Sequence, residues 1–363
     1  MLARVEEVET MSSVALGIPA VVAGPGRDPA RPQTQALLDA HGRTATDLRI
    51  SLTDKCNLRC TYCMPAEGLD WMADDQLLTR TEIGRLVAIA VRTLGVTEVR
   101  FTGGEPLLRR DLAEIIADAA ALTPRPEISL TTNGLGLVRK AKSLRAAGLD
   151  RVNVSLDTVD RARFAAITRR DRLGDVLVGM AAAAAAGLTP VKVNSVLQRG
   201  LNDGEAPELL EFCLEHDYEL RIIEQMPLDA QHGWSRATMV TAEEILDSLR
   251  ARFSLTPDPE ARGAAPAERW LVDGGPATVG VIASVTRPFC GDCDRTRLTA
   301  DGQIRNCLFA AGETDLRGLL RDGSGDDAIA ERWQDAMWGK LAGHGINDPS
   351  FLQPTRPMSA IGG

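Results

Sequence analysis

Cys56, Cys60 and Cys63 form a C-x3-C-x2-C group in a short loop. Three thiolates this close can hold three corners of a cubane iron–sulfur cluster and leave the fourth iron open to a small molecule. A structural zinc site would need four closed ligands, and no histidine lies nearby to complete one. A second group, Cys290, Cys293 and Cys307, is a C-x2-C-x13-C. On spacing alone it suits zinc or a second three-cysteine cubane equally. Arg287, Arg295, Arg297 and Arg305 crowd it. Their positive field suits an anionic ligand, which the chain's net charge of -9 would otherwise repel. The seventh cysteine, Cys213, falls among Leu209, Leu210, Phe212 and Leu214 and reads as a packing residue. The four histidines, His41, His216, His232 and His344, show no ligand spacing.

These residues need a scaffold, and the intervening pattern describes one. Leu48, Ile50 and Leu52 alternate with polar neighbours as in a strand. Ile83, Leu86, Val87, Ala90, Val91 and Leu94 then recur at helical spacing before Gly95. The unit repeats with strands at 98–102, 128–132, 151–155, 191–196 and 219–224, and helices between them. Six strand–helix units in a row imply a parallel sheet with right-handed crossovers. Fewer than eight leaves an incomplete barrel or an open doubly wound sheet. In either case ligands bind at the strand carboxyl ends. Thr102-Gly103-Gly104-Glu105-Pro106 ends the second strand. Thr131 and Asn133 lie at the end of the third, and Ser155 and Asp157 at the end of the fourth. Lys192 and Asn194 lie in the fifth, and Gln225 and Met226 follow the sixth. All should surround one cavity with the first cysteine loop.

Composition bounds the rest. Of 363 residues, 44% are apolar and 25% charged, so the chain is globular and long enough for two domains. Aromatics make up 4%, too few for nucleic-acid stacking platforms, and the acidic balance argues against a general polyanion binder. The uncharged run Leu177 to Leu188 is too short to span a bilayer. Glu6, Glu7 and Glu9 stand where a secretory signal would be positive, so a cytoplasmic protein is expected. Residues 1–45, rich in Gly, Pro and Ala, read as a flexible extension. Residues 46–230 read as the partial barrel, and 231–363 as a loop-rich region carrying the second cysteine group.

The stretch Ser51-Leu52-Thr53-Asp54-Lys55-Cys56-Asn57-Leu58-Arg59-Cys60-Thr61-Tyr62-Cys63-Met64-Pro65 resembles the signature of radical S-adenosylmethionine enzymes. Gly103-Gly104-Glu105-Pro106, one strand later, matches the same pattern. With Phe289-Cys290-Gly291-Asp292-Cys293-Asp294-Arg295-Thr296-Arg297 and the terminal Gly362-Gly363, the chain resembles the GTP 3′,8-cyclases of molybdenum cofactor biosynthesis. The likeness runs from about Asp47 to the end. It implies an incomplete (β/α)6 TIM-like barrel with two [4Fe-4S] clusters, on Cys56, Cys60 and Cys63 and on Cys290, Cys293 and Cys307. Tyr62, Gly104, Ser155 and Met226 would contact S-adenosylmethionine. Arg49, Arg100, Thr131, Lys192, Arg295, Thr296 and Arg297 would contact GTP. Arg295, Arg297 and the Gly362-Gly363 tail would serve turnover. The reaction implied is hydrogen abstraction from the ribose C3′ by a 5′-deoxyadenosyl radical, followed by closure onto C8 of guanine. A homodimer, an electron donor and a downstream cyclic pyranopterin monophosphate synthase are the partners implied. A radical peptide maturase and a non-catalytic iron–sulfur or zinc protein are the alternatives.

Overall fold

The structure is a computed structural model and describes residues 28–362. The six strand–helix units follow the expected order: β1 (Asp47–Ser51), α1 (Arg80–Arg92), β2 (Glu98–Thr102), α2 (Leu112–Ala120), β3 (Glu127–Thr132), α3 (Leu137–Ala146), β4 (Arg151–Ser155), α4 (Arg161–Thr168), α5 (Leu173–Ala185), β5 (Val191–Val196), α6 (Ala206–Glu215) and β6 (Glu219–Ile223). Local chemistry accounts for their limits. Thr79 and Glu82 form a capping box that starts α1, and Ile83, Leu86, Val87, Ala90 and Val91 supply its buried face. Gly95, Gly148 and Gly187 take positive φ just beyond α1, α3 and α5, where a Cβ would be strained.

The chain continues through α7 (Ala242–Arg250), β7 (Leu255–Pro257), β8 (Glu268–Val272), β9 (Thr278–Ile282), β10 (Arg295–Leu298), β11 (Gln303–Arg305), β12 (Thr314–Asp315), α8 (Arg317–Arg321), α9 (Asp326–Trp338) and α10 (Met358–Ile361). All the strands join one sheet, ordered β12-β11-β10-β1-β2-β3-β4-β5-β6-β9-β8-β7. Neighbours are parallel from β10 through β9 and antiparallel outside that run. The region after residue 230 therefore extends the barrel sheet at both edges. β9 and β10 are consecutive in the chain yet lie at opposite edges of the parallel run. Residues 283–294, which carry Cys290 and Cys293, cross from one edge to the other.

Strand β1 is buried along its whole length instead of alternating between core and solvent. Leu48 and Ile50 join the hydrophobic core under the helices, and the residues between them turn to the interior of the curled sheet. A smaller cluster of Leu228, Met239, Val285, Phe309, Ile346 and Ile361 covers the strand carboxyl ends.

The expectation of a flexible segment over residues 1–45 is corrected for its described part, while residues 1–27 lie outside the described residues. Leu37 is fully buried in the main core. Arg31 Nη1 donates to Gln334 Oε1 at 2.8 Å, and Arg43 Nη1 donates to the carbonyl of Cys290 at 2.6 Å. Leu37, Arg31 and Arg43 anchor the described part of the segment, too few to make a periodic pattern.

Glu224, completely buried after β6, fastens the later region to the barrel. Its carboxylate accepts from the backbone N–H of Ala242 at 2.7 Å, Val285 at 2.8 Å and Thr286 at 2.9 Å. Glu224→Gln turns an amide NH2 toward these donors and should cost about 2 kcal/mol of stability in urea unfolding. A loss below about 0.5 kcal/mol would show that the fastening does not depend on charge.

Candidate active site

One cavity of about 320 Å³ receives side chains from every parallel strand. Arg49 enters from β1, Arg100 and Thr102 from β2, Thr131 from β3, Ser155 from β4 and Asn194 from β5. Arg221 enters from β6, Ile282 from β9, and Arg295 and Arg297 from β10. A flat sheet could not aim all of these at one space, so the sheet curls around it. Both cysteine groups line the same cavity.

The first cysteine loop is held by backbone bonds. Arg59 N–H donates to Thr168 O at 3.0 Å, Thr61 N–H to Ile167 O at 2.9 Å, and Cys63 N–H to Cys60 O at 3.0 Å. All three cysteines are free, and their thiols lie close enough to repel one another if ionised. Burial pushes Cys60 well up and Cys63 up to about 12, with the neighbouring sulfurs adding to both. As bare thiols they stay protonated. As a trio of thiolates they require a cationic body between them. The backbone N–H of Ser359, in α10, points at the Cys63 thiol, so the C-terminal tail reaches this loop.

The loop after β2 is pinned to the loop after β1. Gly104 N–H donates to Thr53 O at 2.7 Å and Glu105 N–H to Lys55 O at 2.8 Å. Gly103 has φ +144, and a Cβ there would lie 2.5 Å from Thr53 O. Glu105 is fully buried and accepts from Leu107 N–H at 2.9 Å, Thr132 Oγ1 at 2.7 Å and Asn133 N–H at 2.7 Å. Burial outweighs those bonds and pushes its carboxyl up to about 7. Tyr62 donates its hydroxyl to Asp157 Oδ2 at 2.8 Å, and Val196 N–H bonds Asp157 Oδ1 at 2.9 Å. These contacts fix the edge of the cavity nearest the first trio.

Deeper in, the lining is cationic. Arg49, Arg100, Arg221, Arg295 and Arg297 face the space, and Asp157 is the single carboxylate among its described lining residues. Asp47, buried on β1, lies 3.2 Å from Arg49 Nη2 and 3.8 Å from Arg100 Nη2. Arg221 Nη2 donates to Asn153 Oδ1 at 2.7 Å, while its Nε is buried without a partner. Arg297 Nη1 donates to the carbonyl of Gly362 at 2.6 Å. Burial and mutual repulsion bring Arg221 down to about 9 and Arg100 to about 10, and hold Arg297 well below its ordinary value. Five arginines so placed attract a polyanion.

Burial would raise the Asp47 carboxyl, but Arg49, Arg100 and Arg295 outweigh it and hold it at about 2. Its folded value thus lies below the ordinary 3.8, so ionised Asp47 stabilises the fold above about pH 4. That contribution is lost as pH falls from about 4 to about 2. Asp47→Asn should cost on the order of 2 kcal/mol at neutral pH and flatten that acid limb. Urea unfolding across the window tests this, and an acid limb shared by both proteins would refute it.

In the second group, the Cys290 thiol senses both Cys293 and Cys307. Burial raises Cys293, but Arg295 and Lys340 outweigh it and bring the thiol down to about 7. Lys340 Nζ lies 3.2 Å from its sulfur. Among the described residues no three His, Cys, Asp or Glu side chains are placed to hold a single metal ion.

Most of the residues expected at the site do meet at this cavity: the six cysteines, Tyr62, Gly104, Ser155, Met226, Arg49, Arg100, Thr131, Arg295 and Arg297. Three do not. Lys192 lies 3.1 Å from Glu219 Oε2 and lines an adjoining cavity of about 490 Å³, which also reaches Arg221. Thr296, between the two cavity arginines, faces the other way and accepts from Trp333 Nε1 at 3.0 Å. Gly363 lies outside the described residues, whereas Gly362 is buried beside Ser51 and Thr102. His232 is exposed, whereas His344 lines the cavity. Sequence reasoning missed Arg221. Its place between Leu220 and Ile222, both core residues of β6, was the available signal, since alternate residues face opposite sides of a strand. Cys213 is a buried packing residue as expected, its thiol pushed up to about 12 by burial.

Comparison with known proteins gives matches over most of the chain. Residues 50–213 match the Radical SAM superfamily, and residues 218–346 match the family Molybdenum Cofactor Synthesis C. A GTP 3′,8-cyclase of Streptomyces coelicolor is 68% identical over 338 residues, 93% of this chain and 99% of that one. A GTP 3′,8-cyclase of Mycobacterium sp. strain KMS is 63% identical over 97% of this chain and 100% of its own. Among solved structures, Streptococcus suis SuiB bound to its precursor peptide SuiA aligns with a TM-score of 0.52 at 14% identity. It covers 84% of this chain and 67% of its own, a likeness of fold. No helix among the described residues is long and apolar enough to cross a membrane.

Proposed function

The chain belongs to the GTP 3′,8-cyclase family of radical S-adenosylmethionine enzymes, and on that premise we propose how its cavity divides the work. The activity is conversion of GTP to (8S)-3′,8-cyclo-7,8-dihydroguanosine 5′-triphosphate, the first step of molybdenum cofactor biosynthesis. The radical S-adenosylmethionine domain brings a [4Fe-4S] cluster and S-adenosylmethionine with it.

In this proposal Cys56, Cys60 and Cys63 hold that cluster. The donor set supports it: three free, half-buried thiols in one pinned loop, with no fourth protein ligand among the described residues. When bound, these groups supply a 5′-deoxyadenosyl radical by one-electron cleavage of the sulfonium. Tyr62, Gly104, Ser155 and Met226, beside the trio, hold S-adenosylmethionine. The Gly103-Gly104 backbone packs directly on residues 53–55 because no Cβ intervenes, which sets it beside the trio.

Cys290, Cys293 and Cys307 hold a second cluster. Zinc is the competing reading; three cysteines without a fourth ligand beside them among the described residues suit a cluster with an open iron. Arg49, Arg100, Arg221, Arg295 and Arg297 bind the triphosphate as multiple fixed cations. With the phosphates fixed, the ribose and guanine lie between the two trios, where C3′ can meet C8 and bulk water is excluded. α10 closes the cavity, Ser359 touching Cys63 and Gly362 touching Arg297. Lys192 reaches the nucleotide only if it leaves Glu219. The family resemblance adds a homodimer, an electron donor and transfer of product to cyclic pyranopterin monophosphate synthase.

The observation that carries this reading is that two thiol trios face one arginine-lined cavity. Anaerobic reconstitution with iron and sulfide, then S-adenosylmethionine, reductant and GTP, should yield 5′-deoxyadenosine and a cyclised GTP product. 5′-Deoxyadenosine without GTP modification would remove the proposed substrate geometry. Neither product from fully iron-loaded protein would overturn the assignment.

A further inference from the structure

Lys340 stands just past the C-terminus of α9 and is 3% exposed. Its ammonium spends all three donors on one loop: Cys293 O at 3.1 Å, Cys293 Sγ at 3.2 Å and Arg295 O at 2.9 Å. Among the described residues no carboxylate pairs with it. A buried ammonium with only neutral partners is costly, and the end of a helix offers only a partial charge. The compensating negative charge must come from the sulfur side.

The following segment repeats the attachment. The carbonyls of Leu341 and Ala342 accept from Arg43 Nη2 at 2.6 Å and Nη1 at 2.9 Å. Arg43 also bonds the Cys290 carbonyl, and the His344 backbone N–H points at the Cys290 thiol. Residues 340–344 thus form a strap across Cys290 and Cys293, with Lys340 delivering its charge to one sulfur.

We propose that Lys340 is the counter-ion of the second cluster, a positioning residue whose ammonium bonds the Cys293 sulfur and raises the potential at which the cluster accepts an electron. This rests on the reading that Cys290, Cys293 and Cys307 carry a cluster. A cation bonded to a ligand sulfur stabilises the reduced, more negative state more than the oxidised one, so its removal lowers the potential. A lysine that merely bridged two carbonyls would leave the potential unmoved.

The test uses the full-length chain with Cys56, Cys60 and Cys63 all changed to Ser, so that only the second trio binds iron. Reconstituted anaerobically with Lys340 intact, it should hold about four irons. Absence of iron there overturns the cluster reading itself, before any lysine variant is made. With iron bound, an EPR-monitored redox titration of Lys340→Met should show about tenfold less reduced cluster at a given poise, a downward shift of about 59 mV. Lys340→Arg, which keeps charge and donors, should titrate close to the parent. An unchanged potential in Lys340→Met refutes the assignment. Should Lys340→Met lose its iron, Lys340→Arg decides: retained iron and potential support the proposal, and equal loss overturns it.

Discussion

Gly104→Ala should abolish S-adenosylmethionine cleavage, with a loss of at least about 100-fold. An alanine Cβ at this position would lie 2.3 Å from Asp54 O and 2.5 Å from Lys55 O. Both are backbone atoms, so no side chain can swing away to relieve the contact. They belong to the residues directly before Cys56, and Gly104 N–H is itself bonded to Thr53 O. The two loops must therefore separate, which shifts the first cysteine trio against the Gly103-Gly104 ledge. The damage is local, because Cys290 and Cys293 hang on residues 283–294 and on Lys340, and Cys307 follows β11. Iron retained on the second trio, with 5′-deoxyadenosine formation gone, is the expected pattern. Cleavage within about threefold of the parent would show that this ledge does not position the methionine end of the cofactor.

Arg297→Ala should raise the KM for GTP by about 10- to 100-fold and leave the first cluster in place. Arg297 is buried in β10, faces the cavity, and bonds the carbonyl of Gly362 at 2.6 Å. Its removal takes one of five cations from the polyanion site and frees the tail. A charged hydrogen bond contributes about 1.5–3 kcal/mol, and each 1.4 kcal/mol corresponds to about tenfold. Arg297 has no hydrogen bond to the first trio, so basal S-adenosylmethionine cleavage should persist, uncoupled from GTP. Competition binding with GTP and iron analysis separate the two effects. Unchanged GTP affinity would remove Arg297 from the nucleotide site.

What could be read in advance had local causes. Alternation at Leu48, Ile50 and Leu52 and helical spacing from Ile83 to Leu94 reflect burial against immediate neighbours, and both elements stand within about three residues of the expectation. The region after residue 230 was much less legible. Arg295-Thr296-Arg297-Leu298 falls in the region expected to be loop-rich, yet it is a fully buried strand. It becomes a strand by pairing in parallel with β1, Asp47 opposite Arg295, a contact no local pattern encodes. Its arginines tolerate burial because they face a polar cavity and share Asp47.

The sequence by itself determined two cysteine trios, the Gly103-Gly104 ledge and the order of the strand–helix units, and left the second trio open between zinc and a cluster. Residue type and short-range spacing suffice for these, because cluster ligation and helix or strand periodicity span only a few residues. Tertiary structure alone decided which charges meet. It brought Arg221 to the cavity and paired Lys192 with Glu219. It turned Thr296 toward Trp333 and set Lys340 against Cys293. Each of these depends on how the sheet curls and on which edge receives β10, and the balance between burial and compensating charge is settled only once distant segments pack.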